Sequence, residues 1–172
     1  MTTPQPTSTK LTTSPQLSHV SADGDIQMVD VSAKTITTRH ARATGTVQFS
    51  HAVYAQLKAN AGVTKKGSIT QTAHLAGIMA AKKTSELIPL CHAIALTGIE
   101  LRFDYDDSNA AVRVSASARA DDKTGVEIEA LTAVSVACLT IYDMTKALSH
   151  DIVISDIKLV SKTGGKSDYV SG

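Results

Sequence analysis

Tryptophan is absent from this 172-residue chain, and phenylalanine occurs only at Phe49 and Phe103. Recognition of unpaired bases on a sheet relies on exposed aromatics, and neither Phe sits in the expected motif, so a non-catalytic nucleotide- or RNA-binding module has little support. An excess of one charge is also missing: 17 Lys and Arg stand against 16 Asp and Glu. No global field draws the protein to nucleic acid or to an anionic membrane, and any anion must be held locally. The two cysteines, Cys91 and Cys138, form no CxxC pattern. That scarcity fits a reduced cytoplasmic protein better than a disulfide scaffold. No uninterrupted apolar run reaches the ~18 residues of a membrane span, and the first residues lack the basic and apolar regions of a secretory signal. The expectation is a soluble, cytoplasmic chain with no membrane partner.

Alanine and valine are abundant instead, and a core of small side chains lets elements approach closely. Residues 1–17 are rich in Thr, Ser, Pro and Gln and read as a disordered tail. One domain over 18–165 follows, and residues 166–172 read as a flexible C-terminal tail. Within the domain, Ala43 to Phe49 alternates as a strand, and Ser50 caps a short helix to about Lys58. Asn60 to Gly67 reads as a loop. Ser68 with Gln71 has the spacing of a capping box and opens an Ala-rich helix to about Lys83. Leu96 to Tyr105 and Ala111 to Ala120 are period-two stretches joined by Asp106, Asp107, Ser108 and Asn109, the composition of an antiparallel hairpin.

Thr124 with Glu127 has capping-box spacing again and opens a long helix to about Leu148, with Ile128, Leu131, Val134, Cys138, Ile141 and Tyr142 on or near one stripe. Its other side carries little charge from Ala130 to Tyr142, which implies a second covered face and a homo-oligomer. Ile152 to Leu159 forms the last strand. The order strand, helix, strand, strand, helix, strand predicts an α+β, ferredoxin-like βαββαβ fold, a four-stranded antiparallel sheet packed on two long helices.

Several groups are candidates for chemistry, each with a plainer reading beside it. Lys66, with Lys65, precedes a helix N-terminus, where a cation is unfavourable unless an anion is bound; otherwise both are solvated loop lysines. His92, in an apolar stretch after Pro89, is a proton-transfer group, a ligand anchor or a hydrogen-bonded core histidine. Adjacent Cys91 and His92 do not readily converge on one ion, so no metal site is assigned. Glu127 serves either the helix start or a site. Asp143 and Lys146 share a helix face, as a surface ion pair or as a carboxylate tuning an amine in a pocket. Gly164-Gly165-Lys166-Ser167 looks like the end of a phosphate loop, but position 160 is Val and no helix has room to follow; a flexible lid is the better reading.

The segments Met28 to Ser32, Lys66-Gly67, Ala76 to Thr84, Leu87 to His92, Thr124 to Ala133 and Ile141 to Ala147 together resemble the cyclic pyranopterin monophosphate synthase family of molybdenum cofactor biosynthesis. The similarity runs from about Leu17 to Gly165. It implies a phosphorus–oxygen lyase that converts (8S)-3′,8-cyclo-7,8-dihydroguanosine 5′-triphosphate, supplied by an upstream radical enzyme, into cyclic pyranopterin monophosphate and pyrophosphate. No redox cofactor is implied. The resemblance also implies a hexamer, a trimer of dimers, with sites between subunits. Carried over by motif, Asp143 matches the active-site acid, and Lys66, Lys146, His92 and Glu127 match catalytic residues. Leu90, Cys91 and His92, Ile128 with Glu129, and Lys162 match substrate-binding positions. Three departures stand out: Ile128 for the usual Met, Ser68 for Asp, and Ala93 for Pro. None removes a titratable catalytic group.

Overall fold

The structure, a computed structural model, describes residues 26–172. The expected tail at 1–17 and the first residues of the expected domain lie outside it. Strand β1 (Thr37–Gln48) leads through helix α1 (His51–Ala59) to a two-residue ladder of β2 (Val63–Thr64) and β3 (Gly67–Ser68). Helix α2 (Ile69–Lys82), the single turn α3 (Thr84–Leu87), the hairpin of β4 (Gly98–Asp106) and β5 (Ala111–Asp122), helix α4 (Glu127–Thr145), β6 (Val153–Thr163) and β7 (Tyr169–Val170) complete the chain.

The main sheet has the order β4-β5-β1-β6-β7 and is antiparallel throughout. Its first four strands give the ferredoxin-like arrangement expected, with the first and second long strands separated by the third. The fifth strand, β7, pairs Tyr169 with Lys162. It lies within residues 166–172, where the sequence reads as a tail. The glycine segment before it is anchored: Thr37 Oγ1 donates to the Gly164 carbonyl at 2.7 Å, and Gly164 N donates to Asp168 Oδ1 at 3.1 Å.

Alternation along β1 and β5 decides which face is covered. Ala41, Ala43 and Val47 of β1 and Val114, Ala116, Ala118 and Ala120 of β5 are buried under the helices, while Arg42, Arg113, Ser117 and Arg119 face outward. Phe49 is buried and Phe103 packs against the same core, so the open face offers no phenylalanine for base stacking. Small residues set the spacing between layers. A Cβ on Gly45 would lie 2.7 Å from Val134 Cγ1, and one on Gly77 would lie 3.0 Å from the Ala133 carbonyl; these absences bring α4 close to β1 and to α2. By length and composition α4 is apolar enough to cross a bilayer, but its buried stripe of Ala130, Ala133, Val134, Ala137, Cys138 and Ile141 is committed to the core.

Two helix starts carry the expected serine cap: Ser50 accepts from Val53 N, and Ser68 accepts from Gln71 N, the serine half of the expected box. The third start differs. Helix α4 starts at Glu127, the position before it is Val126, and no side chain caps it. Thr124 therefore does not form the expected capping box, because the Glu127 carboxylate is turned toward Lys162. Ile128 is also off the expected apolar stripe, at 38 % exposed. β1 begins six residues before the expected Ala43, and the expected loop at 60–67 contains β2 and the start of β3.

Candidate active site

The candidate residues fall into two groups at opposite ends of α4. At its C-terminal end, Asp143 receives two amines. Its Oδ2 lies 2.7 Å from Lys66 Nζ, and its Oδ1 lies 2.7 Å from Lys146 Nζ. The second contact is the expected i,i+3 pair. The first joins residues far apart in sequence and depends on the β2–β3 turn, where Lys66 N donates to Thr64 Oγ1 at 3.1 Å. The two ammonium groups hold the Asp143 carboxyl down to about 2, and Asp143 in turn raises Lys146. All three side chains are about half exposed. They line a cavity of about 810 Å³ whose other walls include Leu57, Val63, Ile69, Met144 and Leu148. Two amines and one carboxylate over an apolar bowl suit proton transfer, with a net positive charge left for an anion.

The second group surrounds the N-terminal end of α4. Leu90, Cys91, His92, Ile128 and Glu129 line a cavity of about 320 Å³ together with Val29, Val31 and Glu127. His92 is half-buried, and its Nε2 lies 2.9 Å from the Val29 carbonyl. A carbonyl only accepts, so Nε2 carries the proton, and in the neutral ring Nδ1 is left as an acceptor. Glu129 is 3 % exposed. Burial, with Glu127 and Asp122 as like-charged neighbours, pushes its carboxyl up to about 7. Burial and Glu129 likewise push the Cys91 thiol up, which disfavours the thiolate there.

Glu127 borders a further cavity of about 220 Å³ beside the first. Its Oε1 accepts from Lys162 Nζ at 2.8 Å. Lys34, Arg39, His40, Lys123 and Lys166 complete the basic wall of that cavity. Sequence reasoning missed Lys34, Arg39, His40 and Lys123, and met Lys166 only in the glycine segment read as a lid. Lys34 follows the Met28–Ser32 segment closely, but Arg39 lies in β1 and is placed here only by strand pairing. Among the described residues no cluster of three or more His, Cys, Asp or Glu is arranged for a metal ion.

Residues 28–165 match the sequence model of the MoaC family. The cyclic pyranopterin monophosphate synthase of Heliobacterium modesticaldum is 50 % identical over 153 residues, which cover 89 % of this chain and 95 % of that protein. The protein of the same name from Parvibaculum lavamentivorans is 50 % identical over 155 residues, 90 % of this chain and 96 % of that one. The molybdenum cofactor biosynthesis protein 1 of Drosophila melanogaster is 52 % identical over 154 residues, 90 % of this chain but 27 % of its own length.

Proposed function

The chain belongs to the MoaC family, and from that premise we propose that it is a cyclic pyranopterin monophosphate synthase, the lyase that rearranges a cyclised dihydroguanosine triphosphate and releases pyrophosphate in molybdenum cofactor biosynthesis. The observation that carries this reading is half-identity along nearly the full length of a curated synthase. The reaction needs several proton transfers and neutralisation of phosphate charge. Lys66 and Lys146 supply amines for both, and Asp143 holds the pair in place. His92 and Glu127 assist proton transfer or position the rings, with Leu90, Cys91, Ile128 and Glu129 as contacts and Lys162 at the phosphate edge.

Asp143 and Glu127 are sixteen positions apart on one helix, about 24 Å at 1.5 Å per residue. One small substrate does not touch both ends of the same α4. The reading therefore requires a second copy, so that the Lys66 group of one subunit meets the His92 group of its neighbour in a hexamer built as a trimer of dimers. Leu75 and Met79 of α2 and Leu139 of α4 are each more than half exposed, which supports a covering copy on the helical side.

The test is to supply the purified protein with the cyclised dihydroguanosine triphosphate and measure cyclic pyranopterin and pyrophosphate. Both products are expected; a folded oligomer that makes neither refutes the assignment. A mixture of inactive Lys66→Ala and inactive His92→Ala chains, refolded together, regains part of the turnover if sites are shared between copies. No recovery in verified mixed oligomers refutes the shared site.

A further inference from the structure

Among the described residues, the basic cavity beside the start of α4 is lined by one carboxylate, Glu127, while Lys34, Arg39, Lys123, Lys162 and Lys166 contribute cations to its wall. Arg39 is 8 % exposed, and its Nε and Nη2 groups donate to the backbone carbonyls of Asp122 and Lys123 at 3.0 and 3.1 Å. Among the described residues no carboxylate lies within the 4.0 Å of an ion pair with it. A guanidinium that deep without a counter-ion is unfavourable unless an anion completes it. Its Nη1 lies 3.0 Å from where a Cβ on Gly165 would stand, so the anchored glycine segment leaves room beside that nitrogen.

Glu127 and Lys162 are 23 % and 35 % exposed, so their contact at 2.8 Å is more sheltered than the other lysine ion pairs of the chain. Glu127 also lines the adjoining cavity that holds His92 and Glu129. Its carboxylate therefore sits on the boundary between the cationic hollow and the one that fits a ring system. We propose that Glu127 is the resident counter-ion of a polyphosphate subsite, and that an arriving polyphosphate takes Lys162 from it and frees the Glu127 carboxylate to serve the ring-side cavity. A phosphate chain presents several charged oxygens where the carboxylate presents one to Lys162, so the ammonium moves to the stronger acceptor. The carboxylate is thereby released only when the phosphates are seated, which couples recognition of one end of the substrate to chemistry at the other. The inference deepens the synthase reading and rests on it for the substrate; the ion exchange itself rests on the geometry.

Inorganic pyrophosphate is the probe, titrated into the full chain by calorimetry. Glu127→Gln removes the competing internal anion and is expected to bind pyrophosphate about five-fold more tightly, the equivalent of a sheltered ion pair of roughly 1 kcal/mol. Lys162→Gln is expected to bind it more weakly than wild type. The chain has four glutamates, so labelling their side-chain carboxyls with carbon-13 gives four signals, of which Glu127 is the one lost in Glu127→Gln. That signal is expected to move as pyrophosphate saturates the wild-type protein, while Glu86 and Glu100 stay in place. Absence of pyrophosphate binding, equal affinity in wild type and Glu127→Gln, or a stationary Glu127 signal at saturation overturns the exchange. The carboxyl signal is read on the wild-type chain, so a variant that does not fold leaves the test decisive. A protein that shows the exchange but makes no cyclic pyranopterin refutes the synthase reading alone; one that turns over without the exchange refutes this inference alone.

Discussion

Gly125→Ala is the sharpest test of how Glu127 is held. A Cβ at this glycine would lie 1.9 Å from Glu127 Oε2, 2.7 Å from its Cδ and 2.9 Å from Oε1. Gly125 is not among the glycines with positive φ, so alanine adopts the same backbone, and the only thing that must yield is the carboxylate. Restoring ordinary contact at 3.4 Å requires Oε2 to move by about 1.5 Å and Cδ with it by about 0.7 Å, a shift of the whole carboxylate that pulls Oε1 away from its 2.8 Å contact with Lys162. Loss of that sheltered pair removes about 1 kcal/mol of stability, and replacing glycine returns about 0.4–1 kcal/mol through the unfolded chain. Thermal unfolding should therefore shift by only a few degrees. Turnover should fall about 100-fold, the scale associated with an ångström of misplacement in a reacting group. Gly98→Ala is the matched control, since its nearest neighbour is Arg119 Cβ at 3.8 Å. Turnover of Gly125→Ala within about two-fold of wild type would refute the claim that Glu127 works from the position it occupies here.

Asp143→Asn should abolish turnover while leaving the melting temperature nearly unchanged, because both of its lysine partners are about half exposed; steady-state kinetics beside a thermal melt checks this. The Asp143 carboxyl is held down to about 2 from an ordinary 3.8, so its contribution is present above the ordinary value and lost as pH falls toward 2; the amine signals of Lys66 and Lys146 should stay constant by NMR from neutrality to about pH 4. Glu129 has the opposite sign: its carboxyl is raised from 4.5 to about 7, so the group favours folding most below its ordinary value and that advantage is lost as pH rises through 7. Glu129→Gln should remove a loss of about 3 kcal/mol otherwise seen between pH 5 and pH 8 in urea unfolding. Gly77→Ala should destabilise by about 1–3 kcal/mol despite alanine's better helix propensity, because its Cβ would meet Leu101 Cδ2 at 2.4 Å and the Ala133 carbonyl at 3.0 Å; the urea midpoint reads the change.

Much of the fold was legible because local chemistry and period agree along most of the chain. Alternation marked β4 and β5, and the Asp106 turn between them closes through Asp106 Oδ1, which accepts from Asn109 N at 3.1 Å. Ser50 and Ser68 announced their helices. The start of α4 was misread because Thr124 and Glu127 have the spacing of a capping box without its geometry: Lys162, from a strand 35 residues later, takes the carboxylate that the box would have used. The site was legible in part for the same reason. The Asp143–Lys146 pair follows from helix periodicity, whereas Lys66 reaches Asp143 across 77 residues and is located by motif, not by spacing. Arg39 carried no local signal. Its neighbours along β1 explain only its burial, and its role appears once Asp122 and Lys123 are brought beside it by the β1–β5 ladder.

The composition of α4 and the division of the site have one physical cause. From Ala130 to Tyr142 helix α4 carries no charge; one stripe lies on the sheet, and on the proposed oligomer a second copy covers the other side, leaving no solvated flank that needs charge. Charge returns only at its ends: Glu127 and Glu129 in the first turn, where they also gain from the helix dipole, and Asp143 and Lys146 at the last. A reaction that needs carboxylates, amines and an imidazole together therefore cannot be assembled along a single α4. On the proposed shared site it would be assembled where the end of one such helix approaches the beginning of another, with burial of the intervening apolar surface between copies supplying the free energy that holds those ends in register.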